Sequence, residues 1–306
     1  MSLTLKEMIA IGENQLINAG IMNPKVDAEL LYMDMRGVDR TRLFMEWSKE
    51  IDEDTCNQYF ELVDRRGARE PLQYITGTQE FMGLDFSVDK NVLIPRPETE
   101  FMVEHALKII LGKVPGGSAE EETAGERDLL SRIPPRKKWN VLDLCCGSGA
   151  IGVTIAHRCA GAKVTATDNS EAAVEVAKKN AAKARTKVRF RTGDLLGAVK
   201  AKKQFDMIIS NPPYVPTHMI PILQEEVKKY EPLTALDGGE DGLDFYRRII
   251  SEAPAYMKSG GVLILETGHD QGKAIEDLFR AESAYEDCTI IKDYNKHDRV
   301  CIALVR

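Results

Sequence analysis

Asn211-Pro212-Pro213-Tyr214 follows directly on the apolar run Phe205 to Ile209, so one strand end presents an amide, two rigid carbonyls and an aromatic face. That grouping suits holding a planar NH2 group while its nitrogen takes a methyl group. A carboxamide or exocyclic amino nitrogen has its lone pair delocalised into a π system. It attacks poorly unless acceptors draw on its hydrogens as positive charge develops on nitrogen. The Asn211 side-chain oxygen and the Pro212 carbonyl can be those acceptors. Proline fixes φ and lacks an N–H, so the pair stiffens the turn and removes competing donors. Tyr214 can then stack on the planar group. A tetrapeptide of this kind also reads as a strand-ending turn with a surface tyrosine, and its partners upstream decide between the two.

The first partner is Val141-Leu-Asp-Leu-Cys-Cys-Gly-Ser-Gly-Ala-Ile-Gly152, an apolar strand that breaks into a small-residue turn and then a helical pattern through Cys159. In such a strand, loop and helix, glycines let the backbone approach a ligand, and the helix N-terminus offers free N–H groups to a carboxylate. Val164-Thr-Ala-Thr-Asp168 is a second strand whose acid lies nineteen residues after Gly149, where a ribose diol needs a bidentate acceptor. A dinucleotide-binding dehydrogenase would carry three spaced glycines; this chain has Asp143 inside the first strand and cysteines at the turn. Gly193-Asp194-Leu195, after the run Val188 to Arg191, adds an acceptor for an adenine amino group and an apolar wall for its ring. Four strand ends in chain order therefore face one crevice.

With these residues the chain resembles the class I S-adenosylmethionine methyltransferases, and within them the release factor glutamine methyltransferases of the HemK/PrmC family. The resemblance covers nearly the whole chain. It includes Arg69-Glu-Pro-Leu-Gln-Tyr-Ile-Thr-Gly77, Val92-Leu-Ile-Pro-Arg-Pro-Glu-Thr-Glu100 and Glu231-Pro-Leu-Thr-Ala-Leu-Asp-Gly-Gly239, which separate this family from other amino methyltransferases. It implies that the substrate is the glutamine of the Gly-Gly-Gln loop in class 1 peptide chain release factors. It also implies S-adenosyl-L-methionine as cofactor, contacted by Cys145, Cys146, Gly147, Ser148, Gly149, Asp168, Asp194, Leu195 and Asn211. The segment Arg96 to Thr99 is expected near the cofactor. The family loop usually reads Gly-x-Gly-x-Gly, and here Cys145 stands at its first glycine. If that position takes positive φ, cysteine is strained there. Vicinal Cys145-Cys146 has no CxxC spacing and no nearby histidine to suggest a metal or redox pair, and no metal is expected.

Behind these motifs the expected fold is α/β: a Rossmann-like, seven-stranded class I methyltransferase sheet with a small N-terminal helical domain. Residues 1–70 read as short helices for substrate recognition. Ile9, Leu16 and Ile17 keep helical spacing, Asn23-Pro24 opens a second helix that Ala28, Leu30, Leu31 and Met33 continue, and Asp52 or Asp54 can cap another. Residues 71–95, with Gly77 and Gly83 marking turns, read as a β-hairpin linker. Residues 96–306 form the methyltransferase domain, in which Pro97 opens a helix with Glu98 and Glu100 in its first turn. Residues 113–138 mix breakers with charge runs and read as a flexible insertion. From Trp139 strands alternate with helices, at 139–144, 163–167, 187–191, 205–210 and 261–266, which indicates a parallel sheet covered on both faces. The last two runs, near 288–292 and 300–305, leave no room for a crossover helix and should pair antiparallel.

Composition narrows the partners. An apolar fraction of 43% with 29% charged residues is that of an ordinary soluble protein, and six cysteines without framework spacing fit reduced thiols in a cytoplasm. There is no basic-then-apolar leader and no run of eighteen apolar residues, so neither secretion nor a membrane span is expected. Net charge is −7, and residues 1–70 carry nine Lys or Arg against fourteen Asp or Glu. Stable nucleic-acid binding is therefore disfavoured, while a basic protein partner fits. An adenine amino methyltransferase would use the same tetrapeptide on a flipped base, but it needs a basic track. A cofactor-binding partner of translation factors without catalysis is the remaining alternative. A monomer is the default. The five histidines are scattered and read as surface or core residues, and Glu231 can orient the tyrosine loop or cap a turn.

Overall fold

The computed structural model describes residues 3–112, 124–286, 288–293 and 295–306. They fall into two compact units: residues up to Thr78 with Leu223–Tyr230, and Gln79–Ile222 with Glu231–Arg306.

The first unit is helical. It contains β1 (Leu3–Thr4), α1 (Leu5–Asn18), α2 (Pro24–Arg36), α3 (Arg40–Met45), β2 (Glu50–Ile51), α4 (Glu53–Gly67) and α5 (Leu72–Thr76), with β1 and β2 antiparallel. Local signals set the helix starts. Thr4 and Glu7 form a reciprocal capping box on α1, Pro24 opens α2 where a missing N–H costs nothing, and Asp52, rather than Asp54, caps α4 through the Thr55 N–H at 2.9 Å. Met8, Leu16, Leu31, Tyr32 and Tyr59 are buried together, so the apolar and aromatic residues of these helices pack against one another. Of the helically spaced Ile9, Leu16 and Ile17, the first two are buried and Ile17 is half exposed. Gly12 admits this packing: a β-carbon there would lie 2.4 Å from the Tyr59 hydroxyl.

One buried charge stands out in this unit. Arg66 donates to Asp27 at 2.7 Å and to Glu226 at 2.9 Å, with the Arg66 and Asp27 side chains only 6% and 10% exposed. Removing one partner leaves the guanidinium buried and short of compensation. Asp27→Ala should therefore cost roughly 2 kcal/mol, less than a complete break because Glu226 and the Glu70 carbonyl remain. Urea unfolding measures this as a lower midpoint at constant slope, and an unchanged midpoint would refute it.

The second unit opens with a hairpin, β3 (Thr78–Phe81) and β4 (Leu84–Ser87), turning through Met82 and Gly83, both at positive φ as a two-residue hairpin turn requires. Phe81 and Phe86 pack edge to face in this unit's core. Then come α6 (Pro97–Leu111), α7 (Ala124–Arg132), β5 (Trp139–Leu144), α8 (Ala150–Arg158), β6 (Ala162–Asp168), α9 (Glu171–Lys183), β7 (Val188–Thr192) and β8 (Phe205–Ser210). After α10 (Glu225–Tyr230), which belongs to the first unit, follow α11 (Asp244–Glu252), β9 (Met257–Glu266), α12 (Gly272–Ala281), β10 (Thr289–Lys292) and β11 (Asp298–Leu304).

The seven strands run in the order β10-β11-β9-β8-β5-β6-β7, all in one direction except β11, which pairs antiparallel with β9 and, as expected, with β10. Alternation sorts their side chains: Val141, Ile209 and Ile264 join a core with α6 and α8, and Leu142, Ile208 and Leu265 join one with α11 and α12. The chain runs outward from β5 to β7, then returns to β8 on the other side of β5. This reversal opens a crevice at the carboxyl ends of β5 and β8. Of the insertion expected across 113–138, residues 113–123 lie outside the described residues. Within the remainder, α7 carries Leu129 into the core and Arg136 donates to Asp206 at 2.7 Å, so residues 124–136 are built into this unit. The apolar signal there, Leu129, Leu130 and Ile133, is too short to register as a helical period.

Candidate active site

The crevice is shaped by the turn between β5 and α8. Cys145, Gly147 and Gly149 have φ of 56°, 51° and 81°, all left-handed. A β-carbon on Gly147 would meet nothing within 4 Å, so the turn is open on that side. Asp168, at the end of β6, pins this turn: its Oδ2 accepts the Gly147 N–H and its Oδ1 the Ser170 N–H, each at 2.9 Å. Burial pushes its carboxyl up, against these backbone bonds, which favour the charged form.

Of the residues singled out in the sequence, Cys145, Gly147, Asp168 and Asp194 line the crevice, together with Leu195, Asn211 and Pro213. The space between its walls, counted with the open mouth, is about 650 Å³. Cys146, Ser148, Gly149, Pro212 and Tyr214 are not among its lining residues. Cys146 N–H bonds the Thr167 carbonyl, and the Ser148 carbonyl accepts from Asn180 Nδ2, both at 2.9 Å. Asp194 is exposed at the rim, where Arg248 of α11 donates to both its oxygens, at 3.2 and 2.6 Å. Leu195 is buried at the crevice wall.

Asn211 directs its Nδ2 to Thr99 Oγ1, at 3.1 Å, which leaves its oxygen available to a ligand. The prolines that follow are buried, and Tyr214 is half-buried. The Tyr214 carbonyl accepts from Gln271 Nε2 at 3.0 Å, and Val215 N–H bonds the Leu236 carbonyl, so the tetrapeptide is braced from behind. Glu231 is buried. It accepts from Arg96 and from the Ile94 N–H, and so fixes the segment leading into α6. Arg96 to Thr99 lies outside the lining; Thr99 instead bonds Asn211. None of the lining residues is a histidine.

Sequence reasoning missed three contributors. Asn180 in α9 ties the turn to the Ser87 backbone in both directions, at 2.7 and 2.9 Å. Asp143, fully buried, accepts the Gly152 N–H at 2.9 Å and so fastens α8 to β5; burial pushes its carboxyl up to about 8. Glu266 at the end of β9 is buried beside Thr99 and Asn211. Each acid closes or interrupts an apolar strand, the signal that marked Asp168, and could have been found by it.

A ligand with a diol, a carboxylate and a flat ring fits this set: Asp168 for the diol, the open turn and the α8 N-terminus for the carboxylate, and Leu195 for the ring. A family model described as the PrmC N-terminal domain matches residues 7–77, and one described as the methyltransferase small domain matches residues 118–227. A release factor glutamine methyltransferase of Moorella thermoacetica is 37% identical to this chain over 99% of each. The chain belongs to the release factor glutamine methyltransferase family. A Geobacter sulfurreducens member is 37% identical over 97% of this chain and 95% of its own, and a Bacillus subtilis member 36% identical over 99% and 98%. A solved methyltransferase from Pyrococcus furiosus shares the fold, with a TM-score of 0.52 and 21% identity over 79% of this chain and 98% of that one.

Within this family's glycine-rich turn, Cys145 does occupy left-handed backbone. The residue is half-buried; partial burial pushes its thiol pKa up, and a hydrogen bond with Ser210 opposes that rise. Left-handed φ costs a non-glycine residue about 1–2 kcal/mol, while glycine brings about 0.4–1 kcal/mol of extra unfolded-state entropy. Cys145→Gly should then stabilise the protein by about 0.5–1 kcal/mol, read as a raised urea midpoint. A lowered midpoint would mean that the Ser210 contact outweighs the strain.

Proposed function

We propose that this chain methylates the side-chain amide nitrogen of the glutamine in the Gly-Gly-Gln loop of class 1 peptide chain release factors, and so modulates translation termination. S-adenosylmethionine is the cofactor and supplies an electrophilic sulfonium methyl group. The observation that carries the reading is the convergence of Asn211 and Pro213 with Gly147 and Asp168 on one crevice.

In this reading Gly147 and its neighbours Cys145 to Gly149, with Asp168, Asp194 and Leu195, bind the cofactor. Asn211 Oδ1 and the Pro212 carbonyl accept the two amide hydrogens of the glutamine, and Tyr214 lies against its plane. As positive charge builds on the amide nitrogen, both acceptors gain, so the transition state is held more tightly than the ground state. Pro213 and the bracing of Tyr214 keep this geometry fixed, and orientation is the largest demand of an in-line displacement. The proton left on nitrogen is acidic enough to leave to water, so no general base is needed. The excess of acids in residues 1–70 suits a basic protein partner rather than nucleic acid, and the chain would act as a monomer in the cytoplasm. Among the described residues, no helix is long and apolar enough to cross a membrane.

The test is transfer of labelled methyl from S-adenosylmethionine to a purified class 1 release factor, to a variant whose Gly-Gly-Gln glutamine is alanine, and to duplex DNA. Label on the first alone supports the reading. Label on DNA would replace it with adenine methylation, and no label would leave a binding protein.

A further inference from the structure

β8 and β9 run parallel with Ser210 beside Leu265, so the next residues, Asn211 and Glu266, sit side by side at the strand ends. Along β9, Val262 and Ile264 enter the core shared with α6, and the alternation of a strand takes Glu266 to the same face. There it meets Thr99, in the first turn of α6, and the Asn211 amide. Glu266 is 1% exposed, and its Oε2 has no hydrogen-bond partner among the described residues. A carboxyl so placed is costly to keep for structure alone. Burial pushes it up to about 7. Hydrogen bonds from Thr99 and Asn211 and the charge of Arg299 oppose that rise, while Glu98 adds to it. Tyr214 and Tyr246 also face it, and the Tyr246 hydroxyl donates to the Glu266 carbonyl at 2.8 Å.

We propose that Glu266 is a positioning residue for methyl transfer: with Thr99 it holds the Asn211 side-chain amide so that Oδ1 faces the substrate nitrogen and carries extra negative charge. The role rests on the methyl-transfer reading given above. An amide whose N–H groups donate to a carboxylate shifts electron density onto its own oxygen, and hydrogen bonds in a dry site polarise one another in this way. The Thr99 hydroxyl, which takes one Asn211 hydrogen, donates on to the same carboxyl. Asn211 Oδ1 is then the better acceptor when Glu266 is ionised, and turnover should rise as this carboxyl loses its proton.

Glu266→Gln keeps the shape and an acceptor oxygen but cannot ionise. We expect kcat to fall about tenfold at about pH 8.5, with the KM for the release factor and the Kd for S-adenosylmethionine within about twofold of the unaltered protein. The acid limb of the unaltered protein's kcat profile, with its midpoint near 7, should disappear. A merely structural role would lower kcat without removing that limb. Independently of activity, the Asn211 side-chain resonances in a 15N-labelled protein should titrate over the same range and stop doing so in Glu266→Gln. Unchanged kcat with the limb retained, or resonances that do not titrate, would overturn the inference. If Glu266→Gln fails to fold, the titration of the unaltered protein decides alone. If the unaltered protein transfers no methyl to release factor, the activity reading fails instead, and the titration still reports whether the amide is held as described.

Discussion

Replacing Asn211 with alanine is expected to lower kcat by about 10²–10³-fold in a protein that still folds. The size follows from what the side chain does at the moment of reaction. The glutamine nitrogen is a poor nucleophile because its lone pair is shared with its carbonyl, and the cost of withdrawing that pair falls when its hydrogens already point at acceptors. Asn211 Oδ1 is one of the two acceptors, and its orientation is set in advance because Nδ2 is engaged by Thr99 at 3.1 Å. Water entering the space left by alanine could accept the same hydrogen, but it would have to be oriented during the reaction. The fold should still form, since Asn211 is partly exposed, but Thr99 and the Glu266 carboxyl, both buried, each lose a partner, so the unfolding midpoint should fall. Single-turnover transfer at saturating cofactor measures the chemical step directly. Turnover within about threefold of the unaltered protein would remove Asn211 from the proposed role.

What could be read from the sequence divides along a physical line. The central strands of the large sheet were legible because both faces are covered and their apolar runs are nearly unbroken; β8 is buried at every residue from Phe205 to Ser210. The antiparallel pairing of β10 and β11 followed from a connection too short for a helix. The crevice was legible because strand-end residues such as Gly147, Asp168 and Asn211 share one edge of a parallel sheet whatever the loops do. Helix α7 was hidden because a nine-residue helix that carries Leu129 into the core has too little periodic signal to compete with its charges. The depth of each residue within the site was hidden too. Cys146 and Tyr214 are not among the lining residues, and whether a turn residue faces the ligand or the core depends on φ values that the sequence does not print. The same limit applies to Glu231, whose partners Arg96 and Ile94 lie 135 and 137 residues away in sequence.

Asp168 carries the second large expectation, because its carboxylate does two things at once. Each oxygen accepts one backbone N–H, from Gly147 or Ser170, which uses one of its lone pairs and fixes the ligand turn. The remaining lone pairs are left for the crevice, where a ribose diol would donate two charge-assisted hydrogen bonds. At about 1.5–3 kcal/mol each, with tenfold in affinity per about 1.4 kcal/mol, their loss should raise the Kd for S-adenosylmethionine by 100-fold or more in Asp168→Ala. Asp168→Asn should do little better. An asparagine keeps one acceptor oxygen, but its NH2 group must then face either the Gly147 or the Ser170 N–H, donor against donor. The loss should appear mainly in binding, since the carboxylate is not proposed to touch the amide that reacts, so kcat at saturating cofactor should fall less than about tenfold. Calorimetric titration with S-adenosylmethionine separates the possibilities. A Kd raised in both variants supports a carboxylate that holds turn and diol together. A Kd within about threefold in both would mean that Asp168 serves the turn alone and that the diol is held from elsewhere in the crevice.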